Sequence, residues 1–346
     1  MDSGGGSHPG ASRSGVSPVR LRVSVIMPVY NATAFLPRSL PPLLQALARG
    51  EIDELIAIDD TSSDRSAALA TELGARVIPS GGRLGPGGAR NIAAKQATGD
   101  ILWFVDSDVV VAEHSADRVR DAFNSPEVWA TFGSYDDAPA APNFGSQYKN
   151  LLHHHHHQIG KTQATTFWAG CGAIRRKEFL GLGGFDAKRY TKPSIEDIEL
   201  GYRIREKGGL ITLDRDLLSK HLKTWSVVEL VRVDIFRRAL PWARLMLSRG
   251  SVTDDLNVSQ VERLRAVLAG FFFLSIAVSV LGLAPWWIPF ILLGLTFAFN
   301  ARLLLMFNRK RGPLFAAGAL LFHQFYYIYS TTAFAWCWAE AKLSAR

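Results

Sequence analysis

The spacing of hydrophobic positions changes along the chain, and this change predicts an α/β region followed by apolar helices. Apolar runs predict strands at 21–29, 54–59, 75–79 and 101–105, with helical patterns between them. Strands that alternate with helices predict an α/β fold with a mostly parallel sheet and helices on both faces. The pattern also predicts a strand at 128–135, a helix at 144–158, a helix from 195 to a glycine stop, and a last strand at 209–214.

Beyond residue 262 the polar positions almost disappear. Residues 266–301 and 312–339 are uncharged runs of 36 and 28 residues. About 20 apolar residues span a bilayer, so the region 263–340 is expected to hold about three transmembrane helices, near 266–283, 290–307 and 313–338. Basic residues flank these runs at Arg263, Arg265 and 309–311, which favours a cytoplasmic position for both sets. A buried helical hairpin of a soluble protein is the alternative.

Composition and charge add limits to this picture. The chain has 346 residues, a net charge of +8 and two cysteines, Cys171 and Cys337, which exclude a disulfide scaffold or a four-cysteine zinc site. Residues 1–20 are rich in Gly, Ser and Pro and lack a signal-peptide core, so we expect a disordered tail and a cytoplasmic position for the soluble half of the chain. Residues 226–262 are basic and amphipathic, as in helices at a membrane surface.

Polar residues follow the predicted parallel strands where those strands end. Asn31 follows the first strand, Asp59 and Asp60 the second, and Asp106 and Asp108 the fourth. Ligands of parallel sheets bind beyond these carboxyl ends. Asp106 and Asp108 can share a Mg²⁺ or Mn²⁺ ion, because both cations prefer oxygen ligands. Each cluster taken alone is also compatible with ordinary turn chemistry.

Two further segments carry candidate chemistry. The glycine-rich loop before Arg90 can bring backbone N–H groups and a guanidinium near a phosphate, although it lacks the Lys-Ser/Thr of a P-loop. Glu196 and Asp197 are adjacent, so on a helix their side chains point about 100° apart and only one can face a substrate. An exposed helix start with acidic residues is the alternative.

Five segments in order together resemble the family 2 glycosyltransferases, whose catalytic domain has the GT-A nucleotide-diphospho-sugar transferase fold. The resemblance covers about residues 21–225, and it rests on VSVIMPVYNA, DDTSSD, GARNIAAKQATGDILWFVDSD, WAGCGAIRRKEFLGLGGFD and SIEDIELGYRIREKG. A cytoplasmic domain with C-terminal spans is similar to the membrane-bound members. The domain boundaries that we expect are therefore 21–225 for catalysis, 226–262 for the interfacial segment and 263–340 for the membrane region.

The resemblance implies roles for single residues. The nucleotide site would be lined by Pro28, Tyr30 and Asn31, with Asp60 on the base and Asp59 beside it. Arg90 would lie near the diphosphate. Asp106 and Asp108 would form the D-x-D metal motif, with Asp108 the stronger ligand. Asp197, with Glu196 before it, would be the catalytic base.

Two assignments in the last part of this region remain open. His221 can complete the metal shell, or it can be an ordinary histidine. Arg238 and Trp242 resemble an R-x-x-x-W variant of the Q-x-x-R-W motif of processive members, so Arg238 would clamp the diphosphate; a basic membrane-surface helix is the alternative. The missing glutamine argues against processive synthesis. His153–His157 point to all sides of one helix and are expected to lie on a partly exposed helix near the acceptor, without a metal.

The sequence thus predicts a membrane-anchored inverting glycosyltransferase (a hexosyltransferase-type enzyme) that uses Mg²⁺ or Mn²⁺ and a nucleotide-diphosphate sugar. Its acceptor would be a lipid-linked or saccharide hydroxyl in cell-envelope or exopolysaccharide synthesis, with no nucleic acid involved. The expected location is the inner membrane, with several spans. Alternatives are a polyprenyl-phosphate acceptor, which needs no base because it is already an anion, and a GT-A scaffold subunit without turnover.

Overall fold

The computed structural model describes residues 20–250 and 258–344. A nine-stranded sheet forms the centre of the first of these parts. Its strands are β1 (Val23–Val29), β2 (Glu54–Asp59), β3 (Arg76–Pro79), β4 (Ile101–Val105), β5 (Val109–Val111), β6 (Val128–Tyr135), β7 (Gln163–Ala164), β8 (Cys171–Arg175) and β9 (Leu210–His221). The strand order is β3-β2-β1-β4-β8-β6-β9-β5, and β7 pairs with β9. The disordered tail expected at 1–20 lies, apart from Arg20, outside the described residues, as do 251–257.

The helices flank this sheet and then continue beyond it. They are α1 (Leu36–Ala48), α2 (Ser66–Glu72), α3 (Gly85–Gln96), α4 (Ser115–Ala122), α5 (Phe144–Ile159), α6 (Arg176–Gly181), α7 (Glu196–Glu206), α8 (Val227–Val233), α9 (Leu240–Ser248), α10 (Gln260–Val280), α11 (Trp287–Phe299), α12 (Ala301–Arg311) and α13 (Pro313–Ser344). A π-helical segment, Asp234–Ala239, joins α8 to α9.

The sheet is mixed, so the expectation of a mostly parallel sheet is wrong for its second half. β1 to β4 pair in parallel, whereas β8 runs antiparallel to both β4 and β6. The alternation of strands and helices that predicts parallel pairing ends at Val105. Beyond β4 the pairings are antiparallel except for that of β6 with β9, which is parallel.

Helices cover both faces of the sheet, as the sequence predicts. On one face Leu36, Leu40 and Leu43 of α1 pack in a core with the odd-numbered side chains of β1. On the other face Ala93 of α3 and Leu200 of α7 pack in a core with the alternate residues of β1, β2 and β4. Because β1, β2 and β4 are parallel, their carboxyl ends lie at one edge, and the polar residues that follow them meet there.

The segment predicted as one amphipathic helix with a kink at Pro241 is α8, the π-helical segment and α9 in succession. Proline has no N–H, so it cannot donate to the carbonyl four residues earlier. That carbonyl belongs to Arg237 and accepts from the hydroxyl of Ser194 at 2.7 Å instead. The irregular turn therefore connects this segment to the residues immediately before α7.

The apolar C-terminal region forms helices, but only part of it meets the requirements of a membrane span. Within the described residues one helix, α10, is long and apolar enough to cross a membrane, and the pair α11 and α12 would be a second only if their 76° bend is accepted. α13 covers the third predicted span but does not pass the same test. Its polar side chains include His323 and Gln324, both buried against other helices. The prediction of about three spans is therefore not supported.

Gly201 in α7 provides a test of how closely this helix packs against the sheet. A Cβ atom at this position would lie 2.5 Å from the backbone nitrogen of Phe167. We expect Gly201→Ala to lower the free energy of unfolding by about 1–3 kcal/mol, because the helix or the 166–167 backbone must move. Thermal unfolding measures the loss. Gly181→Ala is the control, since nothing lies within 4 Å of its Cβ; equal melting temperatures for both variants would contradict this packing.

Candidate active site

A cavity of about 1160 Å³ opens at the carboxyl ends of the parallel strands and continues to the C-terminal helices. Most of the predicted site residues line it: Pro28, Tyr30, Asp60, Arg90, Asp106, Asp108, Glu196, Asp197, His221, Arg238 and Trp242. The predicted site residues Asn31 and Asp59 do not line this cavity.

One end of the cavity is formed by the loops after β1 and β2. The guanidinium of Arg83 lies over the ring of Tyr30, 4.0 Å from its centroid. Both carboxylate oxygens of Asp60 accept backbone N–H groups, from Leu84 at 2.8 Å and Gly85 at 2.9 Å. Gly85 has a φ of 76°, a left-handed conformation that favours glycine. Asp60 therefore fixes the start of α3 and leaves its carboxylate edge at the cavity wall.

Asn31 and Asp59 shape the turns behind this end. The side-chain oxygen of Asn31 accepts the backbone N–H of Ser63 at 2.8 Å, and Asn31 itself has a φ of 48°. Asp59 accepts the backbone N–H of Ser62. The turn chemistry that the sequence left open thus accounts for the contacts of both side chains.

The pairing of β5 with β9 brings His221 to the aspartates that follow β4. Val109 is paired with His221, and the N–H of Leu222 donates to the carbonyl of Asp108 at 2.8 Å. The Nε2 atom of His221 lies 3.4 Å from Oδ2 of Asp108. Burial opposes ionisation of Asp108, but the hydrogen bond and charge of His221 and the charge of Lys223 hold its pKa below the usual value.

Asp106, Asp108 and His221 carry the oxygen and nitrogen ligand types that a divalent cation accepts. Nδ1 of His221 lies 2.9 Å from Oδ1 of Asn150, and this contact orients the ring with Nε2 toward Asp108. A bound cation would be shared by this nitrogen and the Asp108 carboxylate. Among residues 20–250 and 258–344 no group of three or more His, Cys, Asp or Glu side chains is placed so that it could hold a metal ion. A bound ion would therefore need ligands from a substrate.

Arg90 connects the D-x-D segment with α7. Its side chain is 4% exposed, forms an ion pair with Asp106 and lies 3.9 Å from Oε1 of Glu196. The second oxygen of Glu196 accepts the N–H of Ser194 at 2.8 Å. Burial raises the pKa of Asp106, although Arg90 opposes the shift. Arg90 thus compensates two carboxylates that burial would otherwise keep protonated.

Asp197 points to a different part of the cavity. One oxygen accepts the backbone N–H of Ala169 at 3.1 Å, and the other accepts that of Ile198 at 2.8 Å. Burial raises the pKa of Asp197, which makes its carboxylate a stronger base. The negative charge of Asp197 also contributes to the raised pKa of Asp106, so the two groups share one electrostatic environment. The structure distinguishes the adjacent acids: Glu196 is held beside Arg90, whereas Asp197 has no basic partner at hydrogen-bond distance in the described chain.

The pH dependence of stability gives a test of the buried position of Glu196. Burial and the charge of Asp197 raise the pKa of Glu196 from 4.5 to about 7. The folded state therefore holds this proton more tightly, and the stabilisation is full below pH 4.5 and is lost as the pH rises to about 7. We expect Glu196→Gln to raise the melting temperature more at pH 8 than at pH 5. Glu113→Gln on an exposed loop is the control, and an equal shift at both pH values would contradict the assignment.

Sequence reasoning did not identify an aromatic wall opposite Asp108. It consists of Tyr135, Trp168, His153 and His157, all of which line the cavity. Tyr135 stacks on His221 with centroids 4.6 Å apart, and His153 lies 4.7 Å from Trp168. The i, i+4 spacing of His153 and His157 was an available signal, because these positions share one face of a helix.

The five histidines are more buried than the sequence suggested. His155, His156 and His157 are buried, whereas His153 and His154 are half-buried on the same partly exposed helix. Burial holds the pKa of His153 well below its usual value, so its imidazole is neutral. Its Nδ1 atom is buried without a hydrogen-bond partner among residues 20–250 and 258–344. A polar substrate group at this point of the cavity would satisfy it.

Arg238 and Trp242 face the cavity from the segment before and within α9. The indole N–H of Trp242 donates to the hydroxyl of Tyr202 at 2.8 Å, and the ring packs with Ile195 and Leu245. Trp242 therefore supports α7 from behind. Arg238 lies 3.6 Å from Asp234 on its own helix. Within the described residues its ion-pair partner is therefore Asp234 rather than either D-x-D aspartate.

Comparison with known proteins shows what the first part of the chain resembles. The model of glycosyl transferase family 2 matches residues 24–181. An uncharacterized protein of Mycobacterium tuberculosis is 25% identical over 297 residues, which cover 79% of this chain and 90% of that protein. An uncharacterized glycosyltransferase of Haemophilus influenzae is 30% identical over 118 residues, which cover 33% of this chain and less than half, 46%, of that protein.

A solved structure supports the fold. Mannosyl-3-phosphoglycerate synthase from Rubrobacter xylanophilus aligns with 66% of this chain and 75% of its own, at 19% identity and a TM-score of 0.50. At this identity the comparison bears on the architecture alone. Taken with the mixed sheet, it agrees with the GT-A architecture that the sequence resemblance implies.

Proposed function

Because this chain contains a glycosyl transferase family 2 domain and is a glycosyltransferase, we propose that it moves a sugar from a nucleoside diphosphate to a hydroxyl group at a membrane. The acceptor is a lipid-linked or saccharide hydroxyl, and the anomeric carbon is inverted. The scaffold alternative is set aside, since the chain is an enzyme. The observation that carries the proposal is the meeting of Asp108, His221 and Asp197 around one cavity.

The reaction needs one carboxylate that acts as a base and others that hold a metal ion, and the cavity provides both. Asp197 takes the proton of the acceptor hydroxyl while the acceptor oxygen forms a bond to the anomeric carbon. The bond from this carbon to the diphosphate oxygen breaks, and its electron pair leaves with the nucleoside diphosphate. A single displacement of this kind inverts the anomeric centre. Asp197 suits the role because burial raises its pKa and no basic side chain neutralises it at close range in the described chain.

The other residues hold the donor in position. Asp106, Asp108 and His221 would hold a Mg²⁺ or Mn²⁺ ion, which when bound neutralises charge on the leaving diphosphate. Arg90 forms an ion pair with Asp106 and keeps it in place, and Glu196 lies beside Arg90. Tyr30 and Arg83 form a flat surface beside Asp60, at the end of the cavity that we assign to the base and ribose.

The membrane part of the proposal rests on α10 and on the course of the cavity. α10 exposes apolar side chains such as Leu264, Phe271 and Leu274, as a helix in contact with lipid would. The cavity also reaches Ala266 and Val267 of α10 and Phe334 of α13. A lipid-linked acceptor can therefore approach Asp197 from the side of these helices. We accordingly propose an enzyme anchored in the cell membrane with its catalytic domain on the cytoplasmic side.

A panel of donors tests this function. The detergent-solubilised full chain is heated with UDP-, GDP- and dTDP-sugars, each with and without Mn²⁺. A ligand that binds the folded state at a hundred times its Kd adds about 2.7 kcal/mol of stability. We expect one nucleotide to raise the melting temperature in a metal-dependent way. Folded protein that responds to no donor would contradict the proposal.

A further inference from the structure

The cavity changes character where it leaves the sheet and meets the C-terminal helices. In this second half its lining has four cations and two carboxylates: Lys149, Arg237, Arg238 and Arg263 against Asp234 and Glu262. The donor half contains five carboxylates and four cations: Asp60, Asp106, Asp108, Glu196 and Asp197 against Arg83, Arg90, Lys192 and Lys223. The excess of cations over carboxylates is therefore confined to the helical end, which favours a second anionic group apart from the donor.

Two of these cations converge on one aspartate. Nζ of Lys149 lies 2.7 Å from Oδ1 of Asp234, and a guanidinium nitrogen of Arg238 lies 3.6 Å from the same oxygen. The hydroxyl of Tyr329 on α13 donates to the second oxygen at 3.1 Å. The side chains of Asp234 and Lys149 are 5% and 13% exposed, whereas that of Arg238 is 44% exposed toward the cavity. One carboxylate thus orients two positive groups at the cavity wall.

This arrangement leaves positive charge uncompensated. Burial, followed by the charge of Arg238, lowers the pKa of Lys149 to about 8, even though Asp234 acts in the opposite direction. Burial of the ammonium group is the main cause of this shift, and the neighbouring charge of Arg238 adds to it. A bound anion with several acceptor oxygens would accept hydrogen bonds from both side chains and remove this cost.

The position of Lys149 fixes where such an anion would lie. Lys149 and His153 are one turn apart on α5, which is about 6 Å along the helix, and both face the cavity. His153 borders Trp168, and the charge of Arg238 acts on both His153 and Asp197. On the other side, Asp234 contacts Tyr329 of α13. The cation pair therefore lies between the proposed base and the apolar helices.

We propose that Lys149 and Arg238 bind a phosphate group of the acceptor, and that the acceptor is a lipid phosphate ester whose apolar chain lies along α10 and α13. This inference rests on the proposed function and specifies the substrate class. Arg238 is then a ligand of the acceptor phosphate rather than of the donor diphosphate. Lys149, which no sequence motif indicated, becomes a specificity-determining residue.

Binding of farnesyl phosphate and farnesol to the detergent-solubilised full chain tests the proposal. Titration calorimetry is carried out in EDTA, so that phosphate cannot bind through a metal at Asp108, and is repeated with inorganic phosphate. We expect farnesyl phosphate to bind at least ten times more tightly than farnesol or inorganic phosphate. Lys149→Gln and Arg238→Gln should each weaken it by about 10- to 100-fold, the range for charge-assisted hydrogen bonds.

The controls separate this proposal from structural effects and from the proposed function. Lys95→Gln, at an exposed position of α3, removes the same charge elsewhere and should bind normally. If Lys149→Gln lowers the melting temperature, the affinity of Arg238→Gln for farnesyl phosphate tests the proposal by itself. Equal affinity for farnesol and farnesyl phosphate, or unchanged affinity in both variants, overturns the inference. Displacement of farnesyl phosphate by UDP or GDP in EDTA also overturns it. Failure of the donor panel alone contradicts the proposed function and leaves the phosphate result interpretable.

Discussion

Replacement of Asp197 by Asn is expected to lower kcat for sugar transfer by about 10²- to 10⁴-fold, the usual contribution of a positioned general base. The amide keeps the shape of the side chain and its acceptor oxygen, so the contact with the N–H of Ala169 can persist. It cannot take a proton from a hydroxyl. Donor-induced stabilisation should therefore remain while transfer is lost, and both are measured on the same preparation.

The same variant separates the two acceptor classes. A phosphate that attacks through its own oxygen is already ionised near neutral pH and needs no base, so Asp197→Asn would then retain most of the activity. A hydroxyl on a phosphate-bearing lipid needs the base and would lose it. Asp117→Asn, on the exposed face of α4, is the matched control and should leave transfer unchanged. Retained activity in Asp197→Asn would contradict the hydroxyl assignment.

Replacement of Asp108 by Asn should abolish the Mn²⁺-dependent rise in melting temperature with the donor and reduce transfer at least about a hundredfold. Asp108 faces Nε2 of His221, so the variant removes one of the two carboxylate charges among the proposed metal ligands without a large change in volume. The loss should appear in donor binding as well as in turnover, unlike the loss in Asp197→Asn.

Two comparisons make the Asp108 result specific. Asp121→Asn, exposed on α4, controls for the loss of one carboxylate. The melting temperature of Asp108→Asn without ligand shows whether the fold is retained. A normal metal-dependent shift in this folded variant would contradict the assignment of Asp108 to the metal, and the donor would then be held by other groups of the cavity.

Much of the site was predictable because its residues follow strands of strong hydrophobic character. Asp60, Asp106 and Asp108 come directly after buried runs, and the edge of a parallel sheet brings such positions together. The same argument gave Asn31 and Asp59, whose side chains instead hold turns. Local pattern shows that a polar residue ends a strand, but it does not show whether the side chain turns inward or outward.

The C-terminal region shows the opposite limit. Absence of charge predicted three spans, but α11 and α12 are bent by 76° and α13, a continuous helix, buries the polar side chains of His323 and Gln324. His323 bonds to Tyr148 of α5 at 2.7 Å, a contact between a C-terminal helix and the catalytic domain. A run without charged residues shows only that a segment could enter a membrane at low cost. It does not show which helices pack together, and the buried polar contacts depend on that packing.

The sequence by itself determined the strands that end at the cavity, the acidic residues there and the glycosyltransferase class, because these depend on residue types and short periodicities. Tertiary structure alone decided the partners. It set Arg90 between Asp106 and Glu196, turned His221 toward Asp108 through the pairing of β5 with β9, and joined Lys149 to Asp234 across 85 residues of chain. Charges so far apart in sequence meet only when elements pack, and local pattern carries no record of that packing.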